Sequence, residues 1–117
     1  MEVLYRSTRG NGSTVTASNA ILKGLSEDGG LFVPDQIPAL EVPMEQLAQM
    51  SYQEVAYEVM SRFLTDFTEE ELKKCIQSAY DQKFDTDVIA PLVKADGAYY
   101  LELFHGSTIA FKDMALS

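Results

Sequence analysis

The chain has 117 residues, of which 46% are hydrophobic and 10% aromatic, and it carries a net charge of -9. That length and apolar content suit one small folded domain, or one piece of a larger protein, and exclude wholesale disorder. The acid excess lies between residues 27 and 87, and no basic cluster exists, so neither nucleic acid nor an anionic membrane is an expected partner.

Cysteine and histidine usage narrows the class further. Cys75 is the one cysteine, so an internal disulfide is impossible and a reducing, cytoplasmic location fits best. His105 is the one histidine, which leaves no His/Cys set for a zinc ion and no expected metal. No apolar run approaches the roughly 20 residues that span a bilayer, and the N-terminus lacks a signal-peptide pattern.

Val3 to Thr8 alternates and reads as a short strand. Arg9-Gly10-Asn11-Gly12 reads as a turn, since both glycines accept positive φ. Thr14 to Thr16 is a second short strand. Ser18 or Asn19 is the expected cap of a short helix that Gly24 ends. Leu31-Phe32-Val33 is a third small strand. Pro34, Pro38 and Pro43 then space an extended connector, whose Ile37, Leu40 and Val42 are expected to pack on the core. A short helix is expected from about Met44 to Met50.

The next two elements are the clearest. Tyr52, Val55, Ala56, Val59, Met60 and Phe63 form the stripe of an amphipathic helix, with Ser51 and Glu54 as its capping box. Thr68 and Glu71 repeat the device ahead of Leu72, Cys75, Ile76, Ala79 and Tyr80. The short link between the two predicts a helical hairpin, with Cys75 as a buried, inert thiol on its apolar stripe.

Pro91 to Ala95 and Ala98 to Phe104 read as strands joined by Asp96-Gly97, a strong hairpin signal. After His105-Gly106-Ser107-Thr108, residues Ile109 to Leu116 read as a starting helix with Ser107 or Thr108 as its cap. A helix only about two turns long at Ser117 reads as a hint of truncation.

Taken singly, few residues declare a chemistry. No P-loop, dinucleotide glycine motif or GxSxG elbow is present. His105 is open to two readings, general base or structural histidine beside a glycine turn. Lys112 is flanked by Ala110, Phe111, Met114, Ala115 and Leu116. An ammonium held in that apolar setting is poorly solvated, which makes the amine a better nucleophile toward an aldehyde. A lysine that snorkels to solvent is the alternative. Arg9, beside Gly10, suits a carboxylate or phosphate clamp, or is a surface arginine.

Three stretches taken together go further. Tyr5-Arg6-Ser7-Thr8-Arg9-Gly10, Gly24-Leu25-Ser26-Glu27-Asp28-Gly29-Gly30-Leu31-Phe32-Val33-Pro34, and Glu102-Leu103-Phe104-His105-Gly106-Ser107-Thr108-Ile109-Ala110-Phe111-Lys112-Asp113 resemble, in order and separation, three segments of the threonine synthase family. The resemblance covers essentially the whole chain, although family members are several times longer. One departure is visible: the family usually has proline where this chain has Ser107, a change expected to loosen the turn.

The resemblance implies a pyridoxal 5'-phosphate enzyme of the tryptophan synthase β group, a carbon–oxygen lyase acting on phosphates in threonine biosynthesis. Its substrate is O-phospho-L-homoserine, converted with water to L-threonine and phosphate. Lys112 is then both the cofactor-binding and the catalytic residue, through a Schiff base. Arg9 and Thr108 are the candidate substrate-binding residues. The implied fold class is α/β, with an α+β piece in this chain. Residues 1–90 correspond to an N-terminal domain and residues 91–117 to the start of a pyridoxal-phosphate domain. The remainder of that longer chain is the implied partner, and these residues alone are expected to be inactive. Two other readings stay open. One is a threonine synthase-like phospho-lyase. The other is a non-catalytic interaction domain that offers the acidic face of the Ser51–Tyr80 hairpin.

Overall fold

A computed structural model describes residues 1–117. Its first unit is a three-stranded antiparallel sheet of β1 (Tyr5–Ser7), β2 (Thr14–Val15) and β3 (Phe32–Pro34), in the order β2-β1-β3. Gly10 (φ 76°) and Gly12 (φ 80°) make the expected turn between β1 and β2. Helix α1 (Ala17–Lys23) follows and ends at Gly24, which takes the left-handed φ of 72°. Its cap is Thr16, not Ser18 or Asn19: the Thr16 hydroxyl accepts from the Asn19 amide and side chain. The cap sits two residues ahead of Ser18, which is engaged elsewhere. Its amide and hydroxyl both donate to Asp66 Oδ2, at 3.1 and 2.5 Å.

The connector after β3 departs from expectation. Ile37 is 83% exposed and Leu40 42%, so this stretch presents apolar side chains outward. The helix expected over 44–50 is a single turn, α2 (Met44–Leu47), whose N-cap Pro43 supplies no side-chain hydrogen bond. Helices α3 (Tyr52–Phe63) and α4 (Glu69–Ala79) form the hairpin, and both capping boxes are made. Leu72 and Ile76 carry the buried face of α4. Cys75 is exposed, contrary to expectation, because it lies at the edge of that stripe and only the Leu72–Ile76 face is covered.

The link between α3 and α4 joins this hairpin to the sheet. The Val3 amide donates to Thr65 Oγ1 (3.0 Å), and the Tyr5 hydroxyl donates to the Phe63 carbonyl (3.1 Å). Strands β4 (Leu92–Ala95) and β5 (Ala98–Leu101) then pair antiparallel around Asp96 (φ 49°) and Gly97 (φ 78°). These two positive φ values are those of the type I′ turn that Asp-Gly favours. β5 is shorter than expected and ends at Leu101; beyond it the Glu102 amide donates to the Pro91 carbonyl (2.9 Å) and its side chain meets His105. The last helix, α5, spans only Asp113–Leu116.

Only 12 of 117 residues are buried, chiefly Val3, Ala17, Ala20, Leu72, Ile76, Phe84 and Ile89 among the apolar ones. The radius of gyration is 16.4 Å, against about 13 Å for a compact domain of this length. Apolar surface is left outward as a result: Leu92, Tyr99, Tyr100, Leu101, Phe104, Ile109 and Phe111 are each about half exposed or more. No helix is long and apolar enough to cross a membrane.

Candidate active site

Lys112 stands immediately before α5 with its side chain exposed, and its amine has no hydrogen-bond or ion-pair partner. The apolar pocket expected around it is not built within the chain. Ile109, Phe111 and Leu116 are 72%, 66% and 77% exposed, because no other element lies over them. An unengaged, accessible amine beside an apolar surface fits covalent attachment to an aldehyde-bearing group.

The loop that carries Lys112 is tightly specified from within. A helix from Ile109 is prevented by the φ of 65° at that residue, which a right-handed helix cannot contain. Neither Ser107 nor Thr108 caps α5; Thr108 serves Asp113 instead. The Thr108 amide donates to Asp113 Oδ2 (2.8 Å) and its hydroxyl to Oδ1 (2.6 Å). Gly106 lies against the same carboxyl, so that a Cβ there would meet Asp113 Cβ at 2.5 Å. The Ser107 amide makes no hydrogen bond, so the family's proline would cost no bond at that turn. On the far side of Lys112, the Tyr80 hydroxyl donates to the Met114 carbonyl (2.7 Å).

His105 enters this loop as a clasp between two carboxylates. Nε2 lies 2.7 Å from Glu102 Oε2 and Nδ1 2.5 Å from Asp85 Oδ1, with the side chain 15% exposed. The His105 carbonyl also accepts from the Asp85 amide (3.0 Å), and the ring lies 4.5 Å from that of Phe104. Both ring nitrogens face carboxylate acceptors, an arrangement that favours the doubly protonated ring. The hydrogen bond to Glu102, then that to Asp85, raises the imidazole pKa above its usual 6.5. With both nitrogens engaged by carboxylates of the chain itself, the ring offers no free nitrogen to a substrate proton, which favours the structural reading of this residue.

Arg9 belongs to a separate cluster. Its Nη1 donates to the Asp28 carbonyl (2.8 Å), and its guanidinium covers Gly29. The Asp28 carboxylate accepts from the Ser7 hydroxyl (2.6 Å) and the Gly30 amide (2.9 Å). The Ser7 and Gly30 bonds, helped by Ser26 and Arg9, hold the Asp28 pKa below its usual value against the opposing effect of burial. Its Oδ2 is buried with no partner. No hydrogen bond or ion pair joins Arg9 to Thr108 or Lys112, so the chain brings Thr108 and Lys112 into one loop and leaves Arg9 in another cluster. Sequence reasoning missed Asp113, Asp85 and Glu102. Two local hints existed: a hydroxyl residue five positions before an acid, and a carboxylate three before the histidine.

The chain's likeness to known proteins agrees with this layout. The family described as "Threonine synthase N terminus" matches residues 4–80. A threonine synthase of Schizosaccharomyces pombe is 43% identical over 98% of the chain and 23% of its own length. Among solved structures, a PLP-bound threonine synthase from Brucella melitensis superposes with a TM-score of 0.86 at 37% identity, over 98% of this chain and 25% of that one. A threonine synthase from yeast gives 0.87 at 36% identity, over 97% and 24%. The chain therefore spans about a quarter of the length of the relatives it matches. Its three motifs, its helical hairpin and its lysine loop all fall within that quarter, and the chain belongs to the threonine synthase N terminus family.

Proposed function

We propose that this chain is the front part of a threonine synthase, in which Lys112 holds pyridoxal 5'-phosphate and the whole protein converts O-phospho-L-homoserine and water to L-threonine and phosphate. The observation that carries the reading is the partner-free, exposed amine of Lys112 on an internally clamped loop. The PLP-bound Brucella relative supports the choice of cofactor. When bound, that cofactor supplies an electron sink for charge that develops at the substrate Cα.

The chain's own residues supply attachment and orientation. Lys112 Nζ would hold the cofactor, and its amine would be the base that takes and returns the substrate Cα proton. Thr108 gives its hydroxyl proton to Asp113 and keeps oxygen lone pairs for a substrate donor. Arg9 commits Nη1 to Asp28 and retains Nη2 and Nε for an anionic group of the substrate. The reading divides the chain at about residue 90, with residues 91–117 opening the cofactor domain. It also extends to a cytoplasmic location, which the free thiol of Cys75 supports.

The test is made on a chain of the relatives' full length that carries this segment. It and its Lys112→Ala variant are incubated with pyridoxal phosphate, and absorbance is followed with and without borohydride. An adduct fixed onto Lys112 in the parent and missing in the variant is the expected result. No adduct in either removes the chemistry from Lys112 and refutes the reading.

A further inference from the structure

Asp113 is the one buried acidic residue of the chain, only 8% exposed, and no cation pairs with it. A carboxylate withdrawn from water is costly unless hydrogen bonds replace its hydration. Thr108 provides two, from its amide and its hydroxyl, one to each carboxyl oxygen. Such charge-assisted bonds are among the stronger ones available to a protein. Their effect is to close residues 108–113 into a ring that contains Lys112.

Two further observations show how closely this ring is fitted. The carboxyl lies where only glycine can face it, since a Cβ on Gly106 would come within 2.6 Å of Asp113 Oδ2. Ile109, a β-branched residue, is held at a φ of 65° within the ring. Such a residue avoids the left-handed region unless its surroundings impose it. Here its amide donates to the Gly106 carbonyl (3.1 Å), and the Asp113 amide donates to that of Ala110 (3.0 Å). The backbone direction at Lys112 is thus set by the residue that follows it.

We propose that Asp113 is a positioning residue for Lys112, its buried carboxylate holding both donors of Thr108 so that the loop presents the lysine amine to the cofactor. The inference rests on the reading of Lys112 as the cofactor lysine. Asp113 touches neither cofactor nor substrate in this role and acts through the loop. Thr108 becomes its partner, with the hydroxyl proton committed to Asp113.

The experiment uses the full-length protein and three variants. Asp113→Asn loses one accepted bond, Thr108→Val loses the hydroxyl alone, and Thr108→Ser keeps both donors. Two readouts are taken. One is hydrogen exchange of the Thr108 amide without cofactor; the other is the pyridoxal phosphate concentration that half-saturates the borohydride-fixed adduct on Lys112. Loss of a charge-assisted bond predicts roughly tenfold or more faster exchange, and a half-saturation point raised by roughly tenfold, in Asp113→Asn and Thr108→Val. Thr108→Ser is expected to restore both readouts. Should Asp113→Asn fail to fold, Thr108→Val carries the test, since it removes one hydroxyl from an exposed residue. An adduct in the parent with both readouts unchanged in Asp113→Asn and Thr108→Val overturns the inference alone. No adduct in the parent overturns the cofactor reading and the inference with it.

Discussion

The Gly30→Ala substitution puts a methyl group into the most crowded glycine site of the chain. Its Cβ would lie 2.1 Å from Ser7 Oγ, 3.0 Å from Asp28 Oδ1 and 3.1 Å from the Arg9 amide nitrogen. Ser7 is only 4% exposed, so its hydroxyl has little room to move. Turning it away breaks the 2.6 Å bond to Asp28 and the 3.1 Å bond it accepts from the Arg9 amide. Overpacking of this kind costs about 1–3 kcal/mol, and a buried polar group left unpaired adds about 1–3 kcal/mol. A loss of about 3 kcal/mol is therefore expected. In urea titrations followed by circular dichroism, this lowers the midpoint by roughly 1–3 M, given a slope of about 1–3 kcal/mol per M. Ser7→Ala removes the atom that the methyl group strikes. The double variant is then expected to cost less than the sum of the singles, by about 1 kcal/mol or more. A Gly30→Ala loss below about 0.5 kcal/mol, or strict additivity with Ser7→Ala, would refute the reasoning.

Two further outcomes follow from the clasp and the capping boxes. The folded His105 pKa is raised above 6.5, so the clasp's contribution to stability is full below that pH and disappears as pH rises through the folded value. The melting-temperature difference between the parent and His105→Asn is therefore expected to be largest in acid and to shrink with increasing pH; a difference that grows instead contradicts the clasp. Thr68→Ala removes the acceptor for the Glu71 amide (3.2 Å) and the hydroxyl that donates to Glu71 Oε2 (2.9 Å). It is expected to cost about 1 kcal/mol in urea unfolding, and an unchanged midpoint would show that the box contributes nothing.

Much of the helical and turn structure was legible from the chain because its causes lie a few residues apart. The boxes at Ser51–Glu54 and Thr68–Glu71 close within one helical turn, so residue type and spacing suffice to foresee them. The same holds for Gly24 at the end of α1 and for Asp96-Gly97 between β4 and β5. The motifs around Arg9, Gly29 and Lys112 likewise carry the family resemblance in residue order alone.

Packing and protonation were settled by contacts that no local pattern announces. Thr16 became the cap of α1 because Asp66, 48 residues away, engages Ser18. Cys75 is exposed and Ile37 unpacked because burial depends on what an element meets, and its own period cannot say that. The His105 pKa is raised because Glu102 holds one ring nitrogen while Asp85, 20 residues earlier, comes to the other. Lys112 stands free in solvent because its apolar neighbours find nothing in these residues to cover them. Its loop keeps its shape through the Asp113 carboxylate, whose need for donors away from water is met by Thr108. The sequence by itself thus determined most of the helices and turns and the family. Only the tertiary structure decided which side chains are buried or bound and which pKa values are moved, because those properties depend on long-range proximity and on access to water.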